Sequence, residues 1–212
     1  MRDVSHLEDY QLFINGHLNY TIDKDINYAI SVAGSNPNFM QCDVFAIHKY
    51  LKELSWIKEV SVRKQWPNIL KIRIVEYEPV AYWNDVYMLD SNGVIFQIPT
   101  ERMHKYFLPM LYGSTRDVLD LLTGYYLLNE IVTFSNFKIK SIKLDNRYSW
   151  QIILQDNIIL KLGRKNKVKK LQNFIKIYPF FLESLKDKAK YISYIDLRYD
   201  HGFAVGWISS NN

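Results

Sequence analysis

The amino-acid sequence predicts an α+β protein of two domains, in which two helices on a small mixed sheet are followed by a mainly β domain with flanking helices. Three observations support this prediction. Apolar residues after Asp43 step by three and four, as in an amphipathic helix. Leu70, Ile72 and Ile74 alternate with polar or charged neighbours, as in a half-buried strand. Residues 91–93, Ser-Asn-Gly, separate two short apolar runs, which is typical of a β-hairpin.

The first domain is predicted to span residues 10–78 in the order strand, helix, helix, strand, strand. We expect these elements near residues 11–16, 23–32, 44–54, 57–62 and 70–74. Residues 66–68, Trp-Pro-Asn, should form the turn between the last two strands, because proline restrains its own φ and the residue before it. Val44 and Val62 fit core positions, whereas Glu76 and Glu78 lie near a strand end, where carboxylates are usually solvated.

The second domain is predicted to span residues 79–209. Its apolar residues recur mostly at every second position, as in strands, and in two longer segments they recur with the period of a helix. We expect helices near 118–132 and 165–178, hairpin strands near 87–90 and 94–96, and strands near 139–144, 150–154, 158–162, 191–197 and 203–208.

Composition limits the partners without identifying one. The net charge of +5 would suit an acidic partner, anionic lipid or nucleic acid, but the 27 basic residues are scattered among 22 acidic ones. The single cysteine, Cys42, excludes an internal disulfide and is predicted to be a buried thiol. No run of about 18 apolar residues is present that would span a bilayer.

No residue pattern indicates catalysis, so we predict a non-enzymatic protein without a metal or cofactor. The five histidines lack metal-ligand spacing, and Asp200-His201 has no serine or cysteine nucleophile elbow to complete a triad. Residues 163–167 contain one glycine, which is too few for a phosphate-binding loop. Glu76 and Glu78 are weak candidates for an acid and base pair.

Five stretches carry a family resemblance. They are WIKEVSVRKQWPN at 56–68, LKIRIVEYEP at 70–79, LPMLYG at 108–113, LKLGR at 160–164 and YISYIDLRYDHGFAVGW at 191–207. In this order they cover most of the chain and resemble the FtsQ/DivIB family of bacterial cell-division proteins, and the first two resemble its POTRA domain. His201 and Phe203 stand where the family usually has small residues, and Ser55 where proline is usual.

The resemblance implies a POTRA domain followed by the family's β domain, and a non-enzymatic scaffold that links proteins of the divisome. It implies FtsB and FtsL as partners, no nucleic acid, and a position at the division septum on the periplasmic side of the cell inner membrane. Members carry a transmembrane helix ahead of the POTRA domain, which is not present in this chain. Three explanations of the missing helix remain open: truncation of the chain, loss of the anchor from the gene, and a misassigned start of the gene.

The resemblance also assigns partner-binding residues in the second domain. The terminal strand, from Gly202 to Trp207, would receive FtsB by strand addition, for which an exposed sheet edge is a template. Tyr199 and Trp207 are of the types enriched in hot spots, although core aromatics are the plainer interpretation. Arg198 and Arg164 are expected to form ion pairs with the partner.

Further positions match family residues connected with recruitment to the division site. They are Val44, Glu59, Val62, Lys64 and Glu76. Lysines at 165, 167, 169 and 170 are predicted to form a solvated helix face, with an acidic partner segment or anionic lipid as the alternative.

Two other functions remain open on the sequence alone. Arg63, Lys64, Lys71 and Arg73 make a weak case for a nucleic-acid module. A POTRA-type chaperone for outer-membrane protein assembly also uses strand addition, but such proteins generally have several POTRA units or a barrel.

Overall fold

The computed structural model describes residues 2–7, 10–34, 39–103, 107–133, 135, 137–185, 192–199 and 202–207. The chain divides into two compact units, of which the first contains residues 1–78 and 96–105 and the second residues 79–95 and 106–212. A contiguous domain boundary at residue 78 therefore stays a prediction, since a short later segment belongs to the first unit.

The first unit is a mixed four-stranded sheet with two helices. Its strands lie in the order β1-β2-β4-β3, with β2 and β4 parallel and the other neighbours antiparallel. The predicted order of five elements is confirmed, and one further strand, β1, precedes them. The elements are β1 (Arg2–Leu7), β2 (Tyr10–Asn15), α1 (Asp23–Val32), α2 (Val44–Glu53), β3 (Ile57–Gln65) and β4 (Ile69–Glu76).

Local sequence explains α2 and β4. The Asp43 carboxylate accepts hydrogen bonds from the first free N–H groups of α2, those of Phe45 and Ala46. Ile47 and Leu51 of α2 are fully buried, one turn apart. In β4 the alternation predicted from sequence is confirmed, because Leu70, Ile72 and Ile74 are buried while Lys71 and Arg73 are exposed. Cys42 is buried, as predicted.

Residues 96–105 are held in the first unit by Arg102. Its guanidinium lies 2.6 Å from Asp25 and donates a 3.1 Å hydrogen bond to the carbonyl of Tyr20. The same group lies 5.4 Å from the ring centre of Trp56, within cation–π range.

The second unit is built around a nine-stranded mixed sheet in the order β13-β12-β11-β10-β9-β8-β5-β6-β7. Helices α3 and α4 pack on it and share its apolar core. The elements are β5 (Ala81–Trp83), β6 (Tyr87–Leu89), β7 (Ile95–Phe96), β8 (Met110–Tyr112), α3 (Val118–Thr133), β9 (Ile139–Leu144), β10 (Trp150–Leu154), β11 (Ile159–Gly163), α4 (Lys167–Leu185), β12 (Ile192–Asp196) and β13 (Ala204–Trp207).

The α+β prediction is confirmed, with two differences in the second unit. Helix α4 continues seven residues past its predicted end and contains Pro179. Burial explains the extension, because Phe181 lies after the proline, packs against the core and contacts the ring of Phe203. Strands β5 and β8, which are neighbours in the sheet, were not predicted, since three residues are too few to display a period.

Among the described helices, none is long and apolar enough to cross a membrane. Among all the residues that the structure describes, no group of three or more His, Cys, Asp or Glu side chains is placed so that it could hold a metal ion.

Candidate functional site

Strand β13 lies at one end of the nine-stranded sheet. It pairs antiparallel with β12 and with no other strand of the described chain, with Val205 opposite Ile195 and Ala204 opposite Asp196. Among the described residues, one side of β13 is therefore a free edge, as the resemblance implied. A free edge presents N–H and C=O groups that a partner strand can satisfy.

Two aromatic residues bracket β13 in the sequence and are not part of the core, since Tyr199 precedes the strand and Trp207 is its last residue. Tyr199 is 58% exposed and Trp207 is 46% exposed. The plainer interpretation of these residues as core aromatics is therefore wrong in the isolated chain. Large exposed aromatics beside a free edge are anchors of the type that carries binding energy at interfaces.

One face of β13, together with the residue before the strand, packs against the core. Phe203 packs edge-to-face against Phe174 and Phe181 of α4, at centroid distances of 6.3 and 5.2 Å. Val205 also packs against the core. The bulk of Phe203 is accommodated by α4, so the edge strand begins at a well-anchored position.

A stack of three residues supports the outer face of β13, and sequence reasoning missed it. Gly206 lies opposite Tyr194 of β12, and a Cβ atom on Gly206 would overlap the Tyr194 ring. On the same ring, the Lys161 ammonium lies 3.7 Å from the centroid. The glycine in the family-like stretch was the available signal, since glycine inside a strand often marks close approach of another group.

Gly202 precedes β13 and has a different requirement. Its φ is +92°, which L side chains rarely adopt, while a Cβ there would meet no atom of the described chain within 4 Å. Within the described chain the need for glycine at this position is therefore conformational and not a matter of space.

Arg198 already has a partner within the chain. Its Nε and terminal nitrogen lie 2.6 to 3.0 Å from the Asp196 carboxylate, which also accepts the Arg198 backbone N–H. Hydrogen bonding from the Arg198 side chain lowers the pKa of Asp196, although burial of that carboxyl acts in the opposite direction. Because the Arg198 side chain is 58% exposed, it remains accessible beside Tyr199.

Arg164 lies in a basic groove next to this ion pair. The groove has a volume of about 440 Å³, and both Arg164 and Arg198 line it. Its single acidic residue, Asp145, accepts hydrogen bonds from the backbone of Arg147 and Ser149. The remaining lining residues are Gly163, Lys165 and Lys170. The structure thus brings together the two arginines predicted to meet the partner.

In the first unit, β3 is one of the two edge strands of the sheet, and β1 is the other. Glu59, Val62 and Lys64 all lie on it, and α2, which begins at Val44, packs against it. Lys64 donates a 2.9 Å hydrogen bond to the Met40 carbonyl. Val44 and Val62 are half-buried, so their placement in the core was wrong. They lie at a helix start and on an edge strand, where burial is incomplete.

Glu76 is separate from this surface. It is 7% exposed, and its carboxylate accepts hydrogen bonds from the backbone N–H groups of Asn19, Tyr20 and Thr21 and from the Thr21 hydroxyl. The expectation of a solvated carboxylate was wrong, because these donors compensate its burial. The position supports an effect of Glu76 on the fold rather than a direct contact with a partner.

The residues weighed as possible catalytic groups do not form a site among the described residues. Glu78 is exposed, whereas Glu76 is buried, so the two carboxylates do not form a pair. Asp200 and His201 lie outside the described residues.

Comparison with known proteins gives two family matches that divide the chain between them. Residues 11–77 match "POTRA domain, FtsQ-type". Residues 81–198 match "Cell division protein FtsQ/DivIB, C-terminal". The second match alone covers more than half of the chain.

Individual relatives match along nearly the whole chain. The cell division protein FtsQ of Escherichia coli K12 is 42% identical over 208 residues, covering 98% of this chain and 75% of that protein. FtsQ of Blochmanniella floridana is 41% identical over 206 residues, covering 93% and 74%. FtsQ of Aliivibrio fischeri is 37% identical over 211 residues, covering 100% and 80%.

Proposed function

The chain belongs to the FtsQ/DivIB family of non-enzymatic cell division proteins, and we propose that it links division proteins at the septum by receiving a strand of FtsB along the free edge of β13. FtsL is the second proposed partner. The observation that carries this proposal is the position of β13 at the sheet end, with Tyr199 and Trp207, which bracket the strand in the sequence, exposed. The proposed location is the periplasmic side of the inner membrane at the division septum.

Strand addition divides the recognition between backbone and side chains. Main-chain hydrogen bonds along β13 supply affinity independent of sequence, and pockets for alternate side chains supply selectivity. Tyr199 and Trp207 would exclude water at the two ends of the added strand. The contacts of Phe203 with α4 hold β13 in place before the partner arrives, which reduces the ordering cost of binding.

The basic groove beside Tyr199 favours an acidic segment next to the added strand. Arg164 is exposed and has no ion pair among the described residues, so it is available for a carboxylate. Arg198 binds the Asp196 carboxylate and also lines the groove. Exposed charges of this kind steer association and set orientation more than they add affinity.

For recruitment to the division site, the proposed surface is β3 with the start of α2. Val44, Glu59, Val62 and Lys64 belong to this surface. Its support is that β3 is also an edge strand and that α2 packs against it. Glu76 is proposed to act indirectly, by holding residues 19–21 against β4.

Hydrogen exchange tests the proposal. The periplasmic part of FtsB from the same bacterium is added to the whole chain, and backbone amide exchange is compared with that of the free protein. Strand addition predicts slower exchange within residues 202–207, because outward N–H groups gain partners. Binding that slows exchange only elsewhere, or no binding at all, would contradict it.

A further inference from the structure

A second basic surface lies on the first sheet, on the face opposite the buried Leu70, Ile72 and Ile74. Arg63 of β3 and Lys71 and Arg73 of β4 are exposed there. They line a concavity of about 350 Å³. The other side chains of this face that line it are those of Phe13, Asn15 and Ser61.

Strand register places these groups next to one another. Arg63 lies directly opposite Lys71, and Lys71 lies opposite Phe13 on its other side. Arg73 lies between Ser61 and Asn15 in the same way. Side chains directly opposite across a sheet have Cβ atoms about 5 Å apart, so three cations converge on one small area.

This arrangement works against the stability of the sheet. Like charges directly opposite in neighbouring strands are destabilising. Among the residues whose side chains the structure describes, which exclude β1, no carboxylate lies within 4 Å of Arg63, Lys71 or Arg73. Substituting Arg63 or Lys71 by a neutral residue would remove the directly opposed pair of like charges, so a ligand explains this pair better than folding does.

We propose that Arg63, Lys71 and Arg73 form a binding site for a phosphate group, carried by a lipid headgroup or by a free phosphate compound. A phosphate monoester brings close to two negative charges and three acceptor oxygens, whereas one carboxylate brings a single charge and two oxygens. Each arginine can donate two parallel hydrogen bonds to phosphate, and lysine adds a point charge. Ser61 and Asn15 supply neutral donors, and Phe13 supplies apolar contact at the floor.

The position of Lys64 limits the size of the ligand. Sequence alone grouped Lys64 with Arg63, Lys71 and Arg73 as a weak nucleic-acid surface. In the structure Lys64 binds the Met40 carbonyl and lies 5.5 Å from the Phe39 ring centre, so it is not among the residues that line the concavity. Three cations in one concavity suit one or two phosphates, whereas a nucleic-acid channel follows a backbone over several nucleotides. The site is independent of β13 and of the proposed FtsB contact.

The test uses the whole chain and three probes. Titration with sodium pyrophosphate reports free phosphate binding, and flotation with vesicles that contain phosphatidic acid, whose headgroup is a phosphate monoester, against phosphatidylcholine vesicles, reports headgroup binding. A poly-aspartate peptide is the carboxylate probe. The variant combines Arg63→Gln, Lys71→Gln and Arg73→Gln. Its matched control combines Lys24→Gln, Lys49→Gln and Lys176→Gln, which removes the same net charge from exposed helix positions.

We expect the variant to bind pyrophosphate or the anionic vesicles at least about tenfold more weakly than the wild type, with the control much less affected. Binding to vesicles alone identifies a headgroup, and binding to pyrophosphate alone identifies a free phosphate. Equal losses in variant and control, tighter binding of poly-aspartate, or no phosphate binding by the wild type would overturn the proposal. If the triple variant misfolds, Lys71→Gln alone, which should not lower the melting temperature, is titrated with the same probes. It should still bind phosphate more weakly than the wild type, and unchanged binding by this folded variant would overturn the proposal.

Discussion

Gly206 and Tyr194 lie opposite each other in neighbouring strands, and the Tyr194 ring occupies the space that a side chain on residue 206 would need. The Lys161 ammonium lies over the same ring. The edge strand therefore depends on a residue with no side chain and on an aromatic group that is not itself at the edge.

We predict that Gly206→Ala destabilises the second unit by about 1–3 kcal/mol, as overpacking does, and weakens FtsB binding. Tyr194→Ala in the same chain should rescue most of the loss, because it removes the ring that the new methyl group meets. Chemical denaturation of the wild type, both single variants and the double variant measures this coupling. Additive effects of the two substitutions would show that the ring is not the obstacle.

Truncation of the exposed anchors should separate binding from stability. Tyr199→Ala and Trp207→Ala are each expected to weaken FtsB binding by about 2 kcal/mol or more, which is about thirtyfold. Because both side chains are roughly half exposed, the melting temperature should change little. Calorimetric titration measures the affinity, and Tyr126→Ala, an exposed tyrosine of α3, is the control. Unchanged affinity in both folded variants would remove the anchors from the interface.

The Asp196 and Arg198 pair should make stability depend on acid pH. The Arg198 side-chain hydrogen bond holds the pKa of Asp196 below its ordinary value. The resulting stability is therefore present above the unfolded pKa of about 3.9 and is lost as pH falls through the lower folded pKa. Arg198→Met should raise the pKa of Asp196 in a carbon NMR titration. A pKa that does not move would assign the effect to other groups.

The same substitution tests the role of Arg198 in binding. Since Arg198 is exposed and already paired, its loss and that of Arg164 should each weaken FtsB binding by less than about fivefold, and the effect should fade at high salt. A much larger loss that persists in high salt would instead indicate a pair desolvated by the partner.

Glu76→Ala is expected to destabilise the first unit by about 3 kcal/mol or more, because it leaves the N–H groups of Tyr20 and Thr21 buried without an acceptor. Glu59→Ala on the exposed side of β3 should change stability by less than about 0.5 kcal/mol. Denaturant unfolding compares the two. Equally small changes in the free energy of unfolding would mean that water replaces the carboxylate. Glu76 would then be a candidate for direct contact with a partner.

Elements whose signal is local could be predicted from the sequence. The steps of Ile47 and Leu51 in α2 and the alternation along β4 follow directly from helical and strand periods. The predicted end of helix α4, just before Pro179, was too early. The contact of Phe181 with Phe203 that accompanies the extension is tertiary, so the local sequence does not reveal it.

At the candidate site, the edge strand and its aromatic anchors came from the resemblance and from strand order. The Gly206 and Tyr194 contact and the Asp196 and Arg198 pair did not, since each requires knowledge of strand register or of side-chain direction at a strand end. The environment of Glu76 was mispredicted for a similar reason. Its donors come from residues more than fifty positions away in the chain.

Proline substitution in β13 tests the central claim most directly, because proline removes one backbone N–H while keeping the position apolar. Ala204→Pro and Val205→Pro are compared with the wild type for affinity to the periplasmic part of FtsB, with circular dichroism to confirm folding. At the position whose N–H points away from β12, strand addition predicts that binding is lost while most of the fold is kept. Two folded proline variants that bind FtsB with wild-type affinity would contradict it.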